Sequence, residues 1–520
     1  MTIDPMTPPL IILGLDAGDP SFIQRWAEEG CLPTISNVME RGCWSRTTGP
    51  ELISEHGTWV SLFSGISRSQ HGYYFLRQLK PGSYDLHTVT GLDFSVPPFW
   101  SYLQGLKKKV AVVDVPDSRP MGGLHGVQIS DWAVHYSTNT PSFEPPELLK
   151  NIRQIFGPQM KISESVRSHF NKDKQIYHLL LKRIEKKGAL CRHLLLKNQF
   201  DMIFIVFAES HTAGHQFWKY RPELSERVIE KENDLTYAIR NIYRAIDREL
   251  GLLLDQFPEM TNVIILSSVG MKEQYPTGGL IDAFCRQLGY QCPAQSGASP
   301  FRPLHFLRRL LPETWRVAFS RYLPRETRER LLADQFHNST QWQKTTAFAI
   351  SSSFGSMIRI NLRGREPLGI VEPGREYEAI LTQLESDLNQ LRDPDTGQHA
   401  VKEVVLTCKL FGGGPPIVLP DLFVEWKPCT YFIRRLIHPR AIIEQEEPDF
   451  FRSTDHSREG FFAASGPTIQ NQGEIGQVSV LDLAPTFLYL MDQPVPDNLT
   501  GRIMKEIIHS SGKGLDDFIQ

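Results

Sequence analysis

No stretch of this sequence approaches the roughly 18 consecutive apolar residues that a membrane-spanning helix needs. The first residues, "MTIDPMTPPLIILGLDAGDP", lack the basic region that opens a secretory signal, and their apolar run is broken by Gly14 and Asp16. Cysteine is sparse as well: seven residues in 520, an odd number, scattered and without a CxxC pair. That pattern suits reduced thiols better than a disulfide framework, and it gives no support to a cysteine-based zinc site. A soluble, cytoplasmic protein is therefore expected. With a formal charge of -3 and 22% charged residues there is no global basic field, which speaks against a nucleic-acid partner. Internal repeats and low-complexity tracts are also missing.

What the sequence does have is alternation. "LIILGLD" (10 to 16), "KKVAVVDVP" (108 to 116), "DMIFIVFAES" (201 to 210) and "TNVIILSSVG" (261 to 270) read as strands buried on both faces, the mark of a parallel sheet. Between them lie helical patterns such as "SFIQRWAEEG" and "ENDLTYAIRNIYRAIDRELGLLLDQF", with apolar residues at spacings of three and four. The expected fold is α/β: a doubly wound, mostly parallel sheet flanked by helices. In such sheets functional groups gather beyond the carboxyl ends of the strands. That rule selects Asp16, the stretch "ESHTAGHQFW" (209 to 218) with His211 and His215 four apart, and residues 267 to 271.

Residues 291 to 345 have another texture, arginine-rich and interleaved with Leu, Phe and Trp, and read as a basic helical insertion. It would divide the core into a first part, 1 to 290, and a remainder, 346 to 520. Its charge hints at an anionic small-molecule substrate. "FGGGPP" (411 to 416) lacks the Lys-Ser/Thr that would make it a phosphate cradle.

In order along the chain, "LIILGLDAGDP", "TWVSLFSGISRSQHGYY", "FAESHTAGHQFW", "INLRGREPLGIVEPGREYE", "LRDPDTG", "PDLFVEW", "HSREGFFAASGP" and "VLDLAPTFLYLMDQPVPDNLTGR" carry a resemblance. The sequence resembles the alkaline phosphatase superfamily, in its type I phosphodiesterase and nucleotide pyrophosphatase branch, from about residue 8 to 503. The resemblance implies an alkaline-phosphatase-like sheet and a two-metal phosphoryl-transfer site. One metal would be held by a D-x-x-x-H element and a late His. The other would be held by the first-strand Asp, an Asp-His pair and a Ser or Thr nucleophile.

Carried over residue by residue, Asp16 stands at the first-strand position, His215 at the His of D-x-x-x-H, and His456 at the late His. His211 replaces the Asp of that element, and "SSVG" puts Ser268 and Val269 where the Asp-His pair belongs. Counted back from "FSG" and Trp59, the nucleophile position holds Glu55, with Ser54, His56 and Thr58 close by. Valine has no lone pair to give a metal, and Glu55 cannot make the usual serine or threonine attack.

The expectation is a metalloenzyme with one divalent transition metal, Zn, Fe or Mn, held by His211, His215 and His456. Glu55 would be a fourth ligand or the general base, with Asp16 a supporting carboxylate, and the centre would activate water or oxygen. One competing reading is a phosphodiesterase that uses Ser54 or Thr58 as a displaced nucleophile; the other is a non-catalytic scaffold with an eroded site. His71 in "SQHGYY" reads as structural.

Overall fold

The computed structural model describes residues 7–49, 57–89, 96–134, 140–162, 169–196, 198–222, 233–273, 278–294, 325–350, 352, 355–446 and 454–509. They fall into two compact units, one made of residues 1–71, 91–272 and 454–520 and the other of 72–90 and 273–453. These limits differ from the 290 and 345 boundaries expected above. Most of the basic stretch 291 to 345 lies outside the described residues, while its last part forms the helix Arg325–Asn338.

The first unit is built on a ten-stranded sheet. Its strands are β1 (Leu10–Leu15), β2 (Cys43–Thr48), β3 (Val110–Val113), β4 (Gly126–Ser130), β5 (Ser142–Glu144), β6 (Met202–Phe207) and β7 (Asn262–Leu266), joined late in the chain by β8 (Glu459–Ser465), β9 (Gly473–Glu474) and β10 (Val478–Ser479). The spatial order is β9-β2-β8-β7-β1-β6-β3-β4-β5, with β10 beside β2. Strand β1 pairs in parallel with β6 on one side and β7 on the other, starting from Leu10↔Met202 and Leu10↔Asn262. All six of its residues are buried, which is why the sequence shows an unbroken apolar run rather than alternation. Only β8 and β5 run against their neighbours.

Helices α1 (Pro20–Glu28), α2 (Thr58–Ser64), α3 (Phe170–Leu196), α4 (Glu209–Phe217) and α5 (Ala238–Leu254) complete the elements that matter for the site. Ile23 and Trp26 of α1, Leu180 and Ile184 of α3 and Ile242 and Ile246 of α5 share one hydrophobic core with the sheet. Asp19 starts α1 by accepting from the amides of Ser21 and Phe22, and Gly30 closes the segment at φ 72°. Strand β1 is parallel to both β6 and β7, so the carboxyl ends of the three strands lie side by side, where such sheets carry their functional groups. No described helix is long and apolar enough to cross a membrane.

The second unit has its own four-stranded antiparallel sheet, in the order Ala347–Ala349, Met357–Ile360, Leu422–Trp426, Val401–Leu406. Helix Arg375–Asn389 packs Tyr377, Leu381, Leu384 and Leu388 into its core. A buried ionic network holds the "NLRGREPLG" loop: Arg359 pairs with Glu366 at 2.6 Å, Arg365 with Asp421 at 2.7 Å, and the Tyr377 hydroxyl donates to Asp421 at 2.8 Å.

Gly14 is the tightest point of β1. A Cβ there would stand 2.8 Å from Val206 Cγ2 and 3.1 Å from the Trp59 ring. Gly14→Ala is expected to cost about 1–3 kcal/mol through overpacking, read as a lowered midpoint in urea unfolding.

Candidate metal centre

Asp16 is the first residue past β1, and its backbone amide extends the ladder to Phe207 O at 2.9 Å. The side chain is 4% exposed and faces two donors. Trp59 Nε1, on the first turn of α2, donates to Oδ1 at 2.8 Å, and His211 Nδ1 lies 3.1 Å from Oδ2. The Asp16 carbonyl oxygen accepts from Ser210 Oγ at 2.7 Å. Carboxylate, indole and imidazole thus fix one another. With Nδ1 donating to the carboxylate, His211 keeps its lone pair on Nε2.

The "ESHTAGHQF" segment is helical, so the expected strand ends at Phe207 and α4 begins two residues later. Spacing by four places His211 and His215 on one face. Their ring centroids lie 4.9 Å apart, and those of His211 and His456 lie 4.6 Å apart. His456 comes from the short strand Thr454–Ser457, which pairs with Gly270–Glu273. Thr454 and His456 alternate onto the same buried face of that strand, and the Thr454 hydroxyl lies 2.9 Å from His215 Nδ1.

His215 Nε2 and His456 Nε2 are 3.1 Å apart. Two nitrogens 2.0–2.1 Å from one tetrahedral zinc would stand roughly 3.3 Å apart. One nitrogen from each of the three histidines lies within 4.8 Å of the others, so the trio could hold a metal ion. His211 and His456 are buried and His215 is partly exposed, which gives the group one open side.

The second metal position implied by the resemblance does not fit a metal. Val269 is 5% exposed and belongs to the hydrophobic core. Ser268 is also buried, and the preceding Ser267 spends its hydroxyl on structure: it donates to Gly18 O at 2.6 Å and accepts from Phe461 N at 2.8 Å. Asp19, which sits nearby, caps α1 and accepts from Met271 N at 3.0 Å, and burial raises its pKa.

Glu55 and Ser54 lie outside the described residues. Thr58 opens α2 and is 7% exposed. His71 has the structural surroundings expected: its Nε2 lies 2.9 Å from Ser61 Oγ, and burial, helped by the neighbouring Arg68 charge, pushes its pKa down to about 3. Two residues of the site, Trp59 and Thr454, were not among those expected from the sequence. Thr454's two-residue offset from His456 on a strand is the signal that would have found it.

Residues 10–406 match the family described as type I phosphodiesterase / nucleotide pyrophosphatase. Among solved structures, phosphonoacetate hydrolase from Sinorhizobium meliloti 1021 is 13% identical and covers 94% of this chain and 95% of its own. Its complexes with phosphonoacetate and phosphonoformate give TM-scores of 0.52 and 0.51. Human ectonucleotide pyrophosphatase / phosphodiesterase 5 is 11% identical, with 96% and 100% coverage and a TM-score of 0.49. At these identities the hydrolase speaks for the fold alone. No curated protein matched the sequence.

Thr454→Val should leave the partly buried His215 Nδ1 without its hydroxyl partner and cost about 1 kcal/mol in chemical unfolding, whereas Thr454→Ser should restore most of it. His71 yields a pH test. Unfolded histidine takes up its proton near pH 6.5, but the folded ring does so only near 3, so stability falls as pH drops through that window. His71→Gln should flatten this acid slope in unfolding curves recorded between pH 7 and 4.

Proposed function

The chain belongs to the type I phosphodiesterase / nucleotide pyrophosphatase family, and on that footing we propose that it is a metal-dependent hydrolase with a remodelled, mononuclear centre. One divalent transition metal would be held by His211, His215 and His456. The observation that carries this reading is the convergence of three imidazoles, nitrogens within 4.8 Å, beside a second position filled by Ser268 and a core valine. An all-imidazole set suits zinc or iron better than manganese, which prefers carboxylate and water. Bound there, the metal supplies Lewis acidity and lowers the pKa of water towards neutrality.

The rest falls to the chain. Asp16 orients His211 and holds its proton on Nδ1, so that Nε2 is the ligand atom; Thr454 does the corresponding work at His215 Nδ1. Trp59 occupies the other oxygen of Asp16 and keeps that carboxylate in a supporting role. Glu55, at the nucleophile position, would act as general base or as a further ligand, and no phospho-serine or phospho-threonine intermediate would form. Three neutral ligands leave the cation's charge largely uncompensated, which favours small anionic substrates; a phosphoric or phosphonic ester suits both this charge and the family. Hydrolysis is preferred over oxygen chemistry because it is what the family does. All seven cysteines are free, which supports a reducing compartment such as the cytoplasm.

Elemental analysis of protein purified without added metal should find about one equivalent of zinc or iron per chain, lost in His211→Ala/His215→Ala. Two equivalents would overturn the mononuclear reading, and none would leave a non-catalytic scaffold. Release of p-nitrophenol from bis(p-nitrophenyl) phosphate should fall ~10²–10⁴-fold in Glu55→Gln. It should persist in Ser54→Ala and Thr58→Ala, whose inactivity would instead restore a covalent route.

A further inference from the structure

Helix α4 is polar on two sides. At about 100° per residue, His211 and His215 lie on one stripe, while Glu209, Thr212 and Gln216 lie on another, about 110° away. That second stripe meets α3. Glu209 is fully buried and its Oε1 accepts from Arg183 Nε at 2.5 Å, with both side chains at most 1% exposed. At the other end the buried Asp173 carboxylate takes the amide of Gln216, the Tyr220 hydroxyl at 2.6 Å and the Lys219 ammonium at 2.8 Å. Glu209 and Gln216 are about 10 Å apart along the helix axis at 1.5 Å per residue. The two attachments bracket both histidines.

Stability does not account for this arrangement. Among the described residues, Glu209 Oε2, Arg183 Nη2 and Thr212 Oγ1 are buried without a protein hydrogen-bond partner, so the ion pair recovers only part of its desolvation cost. A well-packed apolar pair of similar volume is commonly as stable or more so. Such a pair would also let α4 slide or rotate, because apolar packing is indifferent to small shifts of register. Directional bonds at both ends do not permit that. We propose that Arg183 and Asp173 are positioning residues: through Glu209 and Gln216 they set the rotation and axial register of α4, and so aim His211 and His215 at a common metal. The proposal rests on the mononuclear reading above.

The test uses Co2+ as the probe ion. In Arg183→Met/Glu209→Met the apolar pair should keep the thermal midpoint near that of the wild type. Co2+ affinity should fall about 10–100-fold, the usual effect of losing a group that supports a ligand, and the visible spectrum of the Co2+-loaded protein should change. Unchanged affinity and spectrum in the folded double variant would overturn the proposal. Should that variant fail to fold, Gln216→Met, which removes the amide bound by Asp173 and leaves that carboxylate to Tyr220 and Lys219, replaces it with the same expectations. Absence of Co2+ uptake by the wild type would defeat the metal reading itself. The positioning claim would then be judged by the imidazole nitrogen resonances of His211 and His215, which must shift in the variant if α4 turns and stay fixed if it does not.

Discussion

One carboxylate, Asp16, ties the centre to the sheet. It stands at the end of the strand that has parallel partners on both sides, so its backbone is among the most constrained in the chain. From there it reaches Trp59 on α2 and His211 on α4. Hydrogen bonds to a charged group contribute about 1.5–3 kcal/mol each, and burial leaves no water to substitute for either donor. Gly14, two residues earlier, is what lets the Trp59 ring lie against β1 closely enough to donate. Helices α2 and α4 are therefore both referenced to a single point on the central strand.

The neighbouring position shows the opposite treatment. An Asp-His pair buried with no cation to hold would be two polar groups in search of partners. Ser268 and Val269 avoid that cost, Val269 by joining the core and Ser267 beside them by bridging Gly18 and Phe461. The crevice is consequently one-sided: imidazole-rich beyond β6, structural beyond β7. A scaffold in which both halves had simply decayed would not be expected to retain the hydrogen bonds that orient His211 and His215.

Much of this was legible in the sequence. Strands β1, β3, β6 and β7 appear as continuous apolar runs because parallel strands are covered on both faces, and Asp16, His211, His215 and His456 follow from their order along the resemblance. The partners of these residues were not legible. Trp59 meets Asp16 across 43 positions and Thr454 meets His215 across 239, and no local periodicity encodes such pairings. Helix α3 was hard to read for a different reason: Asp173, Arg183 and Lys187 face inwards, with Lys187 paired to Asp114 at 3.0 Å and fully buried. Patterning rules assume charge lies outside, and here it does not. The division into two units was equally hidden, since both run through discontinuous segments.

Strand β8, Glu459–Ser465, lies between β2 and β7, two strands that are complete by residue 266. During synthesis, then, the sheet waits with a gap in its middle for almost two hundred residues, most of which build the second unit. His456 precedes the inserting strand by three positions. The strand that joins β2 to β7 is thus preceded directly by the segment that carries the third imidazole. In a chain interrupted before that point, β2 has no strand linking it to β7, and His211 and His215 have no third imidazole beside them.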